Sequence, residues 1–131
     1  MLRIDREQVN RVIAHCQREA PYEACGFLAG GRERVSQVYP VKNIEPTPVS
    51  YMMEPNEQLK ALREIEEKGL ELLAIYHSHP GSRPFPSAKD VSLAFYPEAL
   101  YVIVSLLDGA EVRAFRIAGE RVSEVTIKIE P

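Results

Sequence analysis

Hydrophobic residues recur at Val9, Val12, Ile13 and Cys16, the spacing of one helix face, and Pro21 marks the exit from this stretch. Asp5 stands before it as an N-cap, with Gln8 three residues later in the manner of a capping box. Residues 24–29 are apolar and end at Gly30-Gly31, a hairpin signal. Residues 34–41, with Val35, Val38 and Val41, form the return strand. The segment 43–55 holds Pro46, Pro48 and Pro55 and reads as irregular or as an edge strand. Within it, Val49-Ser50-Tyr51-Met52-Met53 has the character of an extended piece. Pro55 opens a second helix at 55–68, with Leu59, Leu62 and Ile65 on one face and Gly69 as its stop.

Leu70 to Tyr76 is an apolar run with one charge, the mark of a buried strand, and it delivers His77 and His79 at its end. Residues 80–86 form a Pro/Gly loop, and Ser87 to Tyr96 a third helix ended near Pro97. Three strands follow at 100–107, 110–118 and 121–129, separated by Asp108-Gly109 and Gly119-Glu120. The order is helix, two strands, helix, strand, helix, three strands. This predicts a mixed α/β layer fold in one domain over residues 1–131, without a regular βαβ repeat.

Composition narrows the function. With 131 residues and 45% apolar content, the chain can bury roughly two thirds of its unfolded surface in an ordinary core. A net charge of −3 speaks against a nucleic-acid groove. No apolar run approaches the ~20 residues needed to span a bilayer. Met1-Leu2-Arg3-Ile4-Asp5 leads straight into charged helical sequence, so no signal peptide and a cytoplasmic location are expected. Cys16 and Cys25 lack CxxC spacing and read as reduced packing groups.

The chemistry gathers in His77-Ser78-His79-Pro80 and the following Ser87-x-x-Asp90. Alternate side chains of a strand share a face, so both imidazoles can meet one ion while Ser78 points away. Asp90, in the first turn of the next helix, can complete a His₂Asp set with one open position, a zinc hydrolase arrangement. Ser87-x-x-Asp90 reads equally as a capping box, and His15 on the first helix reads as structural or surface. Amide hydrolysis also needs a base beside the ion, a role that suits Glu23, and an oxyanion donor, which Ser87 can supply. Glu23 has its own ordinary reading, as an exposed carboxylate between helix and strand.

His77-Ser78-His79-Pro80, six further residues and Ser87-x-x-Asp90 resemble the signature of the JAMM (MPN+) metalloproteases. Pro21-x-Glu23-x-Cys25-Gly26-x-Leu28-x-Gly30 resembles that family's start. The resemblance runs over nearly the whole chain, as in the compact stand-alone prokaryotic members. It implies a curved mixed β-sheet flanked by helices, related to cytidine deaminases. It implies one Zn2+ per chain on His77, His79 and Asp90, with Glu23 as general acid/base and Ser87 assisting the oxyanion. It further implies cleavage of the amide or isopeptide bond after the C-terminal Gly-Gly of a ubiquitin-like or sulfur-carrier protein.

Such a tail, lacking side chains, fits a narrow groove, and residues 49–53 could pair with it by strand addition. An exposed sheet edge or helix leaves room for a homodimer. A non-catalytic MPN-like interaction scaffold is the alternative, although every ligand position is filled. A nucleobase deaminase would need His-x-Glu and Pro-Cys-x-x-Cys, and neither is present. Cys25 as a nucleophile with a histidine base is weaker still.

Overall fold

The computed structural model describes residues 1–131. Its elements are β1 (Leu2–Asp5), α1 (Arg6–Glu19), β2 (Cys25–Gly31), β3 (Arg34–Val41), α2 (Pro55–Glu67), β4 (Glu71–His79), α3 (Ala88–Ser92), β5 (Leu100–Ser105), β6 (Glu111–Ala118), β7 (Arg121–Val125) and β8 (Ile127–Glu130). All eight strands form one mixed sheet in the order β7-β6-β5-β4-β2-β3-β1-β8. The two edge strands, β7 and β8, are separated in sequence only by Thr126, whose carbonyl accepts a hydrogen bond from Leu2 N. The sheet therefore curls until its ends nearly meet, as a nearly closed barrel flanked by helices.

Strand alternation divides the core in two. One face carries Leu28, Ala74, Tyr76, Val102 and Val104, and packs with Val9, Val12 and Cys16 of α1. The other carries Phe27, Ile75, Ile103 and Phe115, and packs with Ala61 and Ile65 of α2. Both cysteines are free and buried, one in each cluster, so they serve as packing groups. Burial pushes each thiol up to about 12, which keeps Cys25 protonated and unsuited to attack.

Asp5 caps α1 as expected, its carboxylate accepting from Gln8 N at 2.8 Å. The Gln8 side chain does not return to the cap; its amide donates to Ser36 O at 3.0 Å. Five further expectations are corrected. The N-terminus forms β1, which four residues are too few to reveal by alternation; its stability comes from parallel pairing with β8. The β2–β3 turn is Arg32-Glu33, both at positive φ (51° and 67°), rather than Gly30-Gly31. Gly30 instead occupies a bulge where an added Cβ would sit 1.9 Å from Arg34 O, a site only glycine can fill.

The third helix stops at Ser92, short of the expected Tyr96. Pro97 disfavours helical backbone at Tyr96, and Tyr96 N donates to Tyr101 Oη at 3.0 Å instead of to a helical carbonyl. The last predicted strand divides at Thr126, because β7 pairs with β6 and β8 leaves to pair with β1. Residues 49–53 form no strand; Pro48-Val49 turn, and only Met53 is bridged, to Asn43. No helix is long and apolar enough to cross a membrane.

Candidate metal centre

β4 carries the first two groups. His77 and His79 lie on the face that holds Ile75, and Ser78 lies on the α1 face with Tyr76. Both imidazoles are buried in the strand's last three residues. The loop after Pro80 returns the chain to α3, where Ser87 and Asp90 form a reciprocal capping box. Ser87 Oγ accepts from Asp90 N at 3.0 Å, and Ser87 N donates to Asp90 Oδ2 at 2.9 Å. The cap thus aims the carboxylate at the strand end. Asp90 Oδ2 sits 3.0 Å from His79 Nε2 and 3.1 Å from His77 Nε2, and the two nitrogens are 3.1 Å apart.

Hydrogen bonding around the cluster favours a cation at its centre. His79 Nδ1 lies 2.8 Å from Arg83 O, an acceptor that fixes the ring proton on Nδ1. The neutral ring then turns its Nε2 lone pair toward Asp90 and His77. Three lone pairs converging at this range repel unless positive charge sits among them. A proton answers part of that demand. Burial opposes it, but Asp90 and Arg83 raise the affinity of His79 for a proton. Burial likewise opposes the Asp90 charge, yet hydrogen bonds from His77 and His79 hold its carboxyl well below the usual range. A metal ion answers the demand fully. Tetrahedral zinc, with bonds of ~2.0–2.1 Å, holds its ligand atoms roughly 3.3 Å apart, close to the spacing found. The ligand atoms of His77, His79 and Asp90 all lie within 4.8 Å of one another, a set able to hold such an ion.

Glu23 reaches the same place from the other end of the chain. In the β2–β4 register Cys25 pairs with His77. One step on, Ser78 N donates to Ala24 O at 3.1 Å and Ala24 N donates to Ser78 Oγ at 2.7 Å. The next step sets Glu23 beside His79, on the face shared with His77 and Cys25. Glu23 is 2% exposed and its Oε1 has no hydrogen-bond partner. Burial pushes its carboxyl up to about 8, with His79 acting against that shift and Asp90 adding to it. The two distant sequence pieces do meet.

Four supports escaped the sequence. Tyr51 stacks on His77, with ring centroids 5.0 Å apart. Arg83 contributes only a carbonyl. Asn43 Nδ2 donates to Glu23 O at 2.8 Å, while its Oδ1 accepts from Glu45 N and Met52 N. Ser78, a polar residue in an otherwise apolar strand, was the one with a visible signal. His15 is buried and bonded to Tyr76 Oη at 2.7 Å, a structural role.

The model of the family described as prokaryotic homologs of the JAB domain matches residues 5–118. The chain belongs to this family. Among prokaryotic JAB proteins it is similar to the CysO-cysteine peptidase of Mycobacterium tuberculosis, 39% identical over 98% of this chain and 91% of the peptidase. It is also similar to a Thermus thermophilus protein described as a probable TtuB-protein conjugate cleaving protease. That match is 42% identical over 97% of this chain and 84% of the relative. A solution structure from Desulfitobacterium hafniense superposes with a TM-score of 0.89 at 34% identity, covering 99% of this chain and 93% of the other. The same JAB/MPN fold recurs in more distant JAB1/MPN-domain structures.

Proposed function

We propose that this prokaryotic JAB protein is a zinc-dependent peptidase that cleaves the amide or isopeptide bond after the C-terminal Gly-Gly of a ubiquitin-like or sulfur-carrier protein. The carrying observation is the convergence of two imidazoles and one carboxylate beside a separate, buried, unpartnered Glu23. Relatives that cover nearly the whole chain and are named for cleaving such conjugates support the substrate class.

His77, His79 and Asp90 would hold the ion, which when bound would supply a Lewis acid and an acidified water. Arg83 O keeps the His79 ring oriented through Nδ1. Glu23 takes the water's proton and passes it to the leaving amine, a role suited to a carboxyl whose burial places it near neutrality. The Ser87 oxygen is occupied as a cap by Asp90 N, while its own proton remains free to meet the carbonyl oxygen during attack. The loss of Glu23 chemistry is the direct test. Glu23→Gln should retain bound zinc and lose cleavage about 10²- to 10⁴-fold; full activity in that variant would sink the mechanism.

The Gly-Gly tail docks along residues 49–53. The backbone groups of Ser50 and Tyr51 make no hydrogen bond within the protein, so they are free to pair with an extended tail. Tyr51→Pro and Ser50→Pro should raise KM; unchanged KM in both, with the fold intact, removes this part of the reading. A cytoplasmic location fits two free, buried thiols.

A further inference from the structure

The two imidazoles of the cluster are held in different ways. His79 has an acceptor behind it, because its Nδ1 faces Arg83 O at 2.8 Å. His77 has none: its Nδ1 is buried and without a hydrogen-bond partner. An imidazole that offers Nε2 to an ion carries its proton on Nδ1, and an acceptor at that proton normally fixes the tilt of the ring. The polar side chain opposite in register does not serve. Cys25, paired with His77 across β2 and β4, turns its thiol to Val41 O at 3.5 Å. What meets the ring instead is Tyr51, with centroids 5.0 Å apart and planes inclined by only 29°.

Tyr51 is carried to this place by its neighbours. Met52 N donates to Asn43 Oδ1 and Ile44 N donates to Met52 O, each at 2.9 Å. On the other side Ser50 Oγ donates to the Glu45 carboxylate. The Tyr51 backbone is thus pinned although its own N–H and C=O stay unpaired. Its ring borders the space over His77 and Asp90, and also a cavity of about 210 Å³ walled almost wholly by hydrophobic side chains. That cavity leaves the ring room, so packing there does not fix it. The contact with His77 does, and an aromatic pair of this kind stabilises both rings beyond the area they bury.

We propose that Tyr51 is the positioning residue of His77, its ring taking the place of the hydrogen bond that the imidazole lacks and keeping Nε2 aimed at the ion. This rests on the zinc peptidase reading above. Tyr51 then has two separable duties. In that reading its backbone pairs with the substrate tail, while its side chain keeps a metal ligand in place. The aromatic face carries the second duty, so phenylalanine can replace tyrosine and an aliphatic side chain cannot. Without the ring, His77 turns about its Cβ–Cγ bond, since no acceptor holds Nδ1. The site is left with two well-placed ligands and one loose one.

The test compares the aliphatic variants Tyr51→Leu and Tyr51→Ile with Tyr51→Phe and Phe95→Ala, all in the full chain. Phe95 is exposed and borders the same hydrophobic cavity but not the space over His77. Zinc affinity is read by competition with a chromophoric chelator, and ligand geometry by the visible bands of the cobalt(II)-loaded protein. The aliphatic variants should bind zinc about tenfold more weakly, as loss of a group that orients a ligating histidine does, and should alter the cobalt bands. Tyr51→Phe and Phe95→Ala should match wild type in both. At saturating zinc, on a carrier extended beyond its Gly-Gly, Tyr51→Leu should lower kcat about tenfold and leave KM unchanged, the reverse of Tyr51→Pro. Wild-type affinity and bands in the aliphatic variants would overturn the proposal. So would an equal loss in Tyr51→Phe, which would move the role to the hydroxyl, or in Phe95→Ala, which would reduce it to loop packing. A raised KM with kcat intact in Tyr51→Leu would overturn it too. A wild type that binds no zinc would instead overturn the peptidase reading itself.

Discussion

In the metal-free protein, Glu23 ties stability to pH. Burial raises its carboxyl to about 8 from the ordinary 4.5, so between those values the folded state holds a proton that the unfolded chain has released. Stability therefore falls as pH rises through this window, and the full cost is present above it. Glu23→Gln should remove that slope, so that chelated variant and wild type diverge in urea midpoint progressively from pH 5 to pH 8, the variant being the more stable. The opposite divergence would mean that Glu23 is ionised and paired. At this scale the metal cluster was legible because His-x-His needs only local alternation and Ser87-x-x-Asp90 one helical turn. The place of Glu23 beside His79 was not, since it depends on a register between strands some fifty residues apart, fixed by Ser78 and Ala24.

Among the elements, β2 and β4 carry the site, and their fit is specified at two positions. Ser78 holds Ala24 N inside the sheet. Ser78→Ala would strand that buried donor, and should cost about 1–3 kcal/mol in chemical denaturation. Gly26 lies under Tyr76, where a Cβ would come within 2.4 Å of the ring and 2.5 Å of Tyr39 O. Gly26→Ala should destabilise by about 1–3 kcal/mol and loosen zinc, because the displaced ring belongs to the residue before His77; metal retention measured by elemental analysis checks it. Helices α1 and α2 and the runs around β2 to β6 were readable from periodicity. The early end of α3 at Ser92 was not, and the group that holds Tyr96 N outside the helix, the Tyr101 hydroxyl, comes from β5.

For the whole molecule, ligand binding and folding are coupled. Three buried donors that repel one another without positive charge make metal-free protein less stable than metal-loaded protein. Zinc at a thousand times its dissociation constant should add about 4 kcal/mol, read as a rise in Tm that a chelator reverses along with cleavage. An unchanged Tm would argue that no ion belongs there. The nearly closed sheet was the part least visible in advance. The stretch 121–129 alternates like one strand, and only a partner from the opposite edge reveals the break at Thr126. That closure has a mechanical side. β1 and β8 run parallel, with Leu2 opposite Ile127 and Asp5 opposite Glu130. Handles attached at Leu2 and Glu130 and drawn apart would slide these strands along each other, loading all their rungs together instead of peeling them one by one. In a single-molecule pulling experiment this axis should yield at a higher force than one that peels β7 from β6.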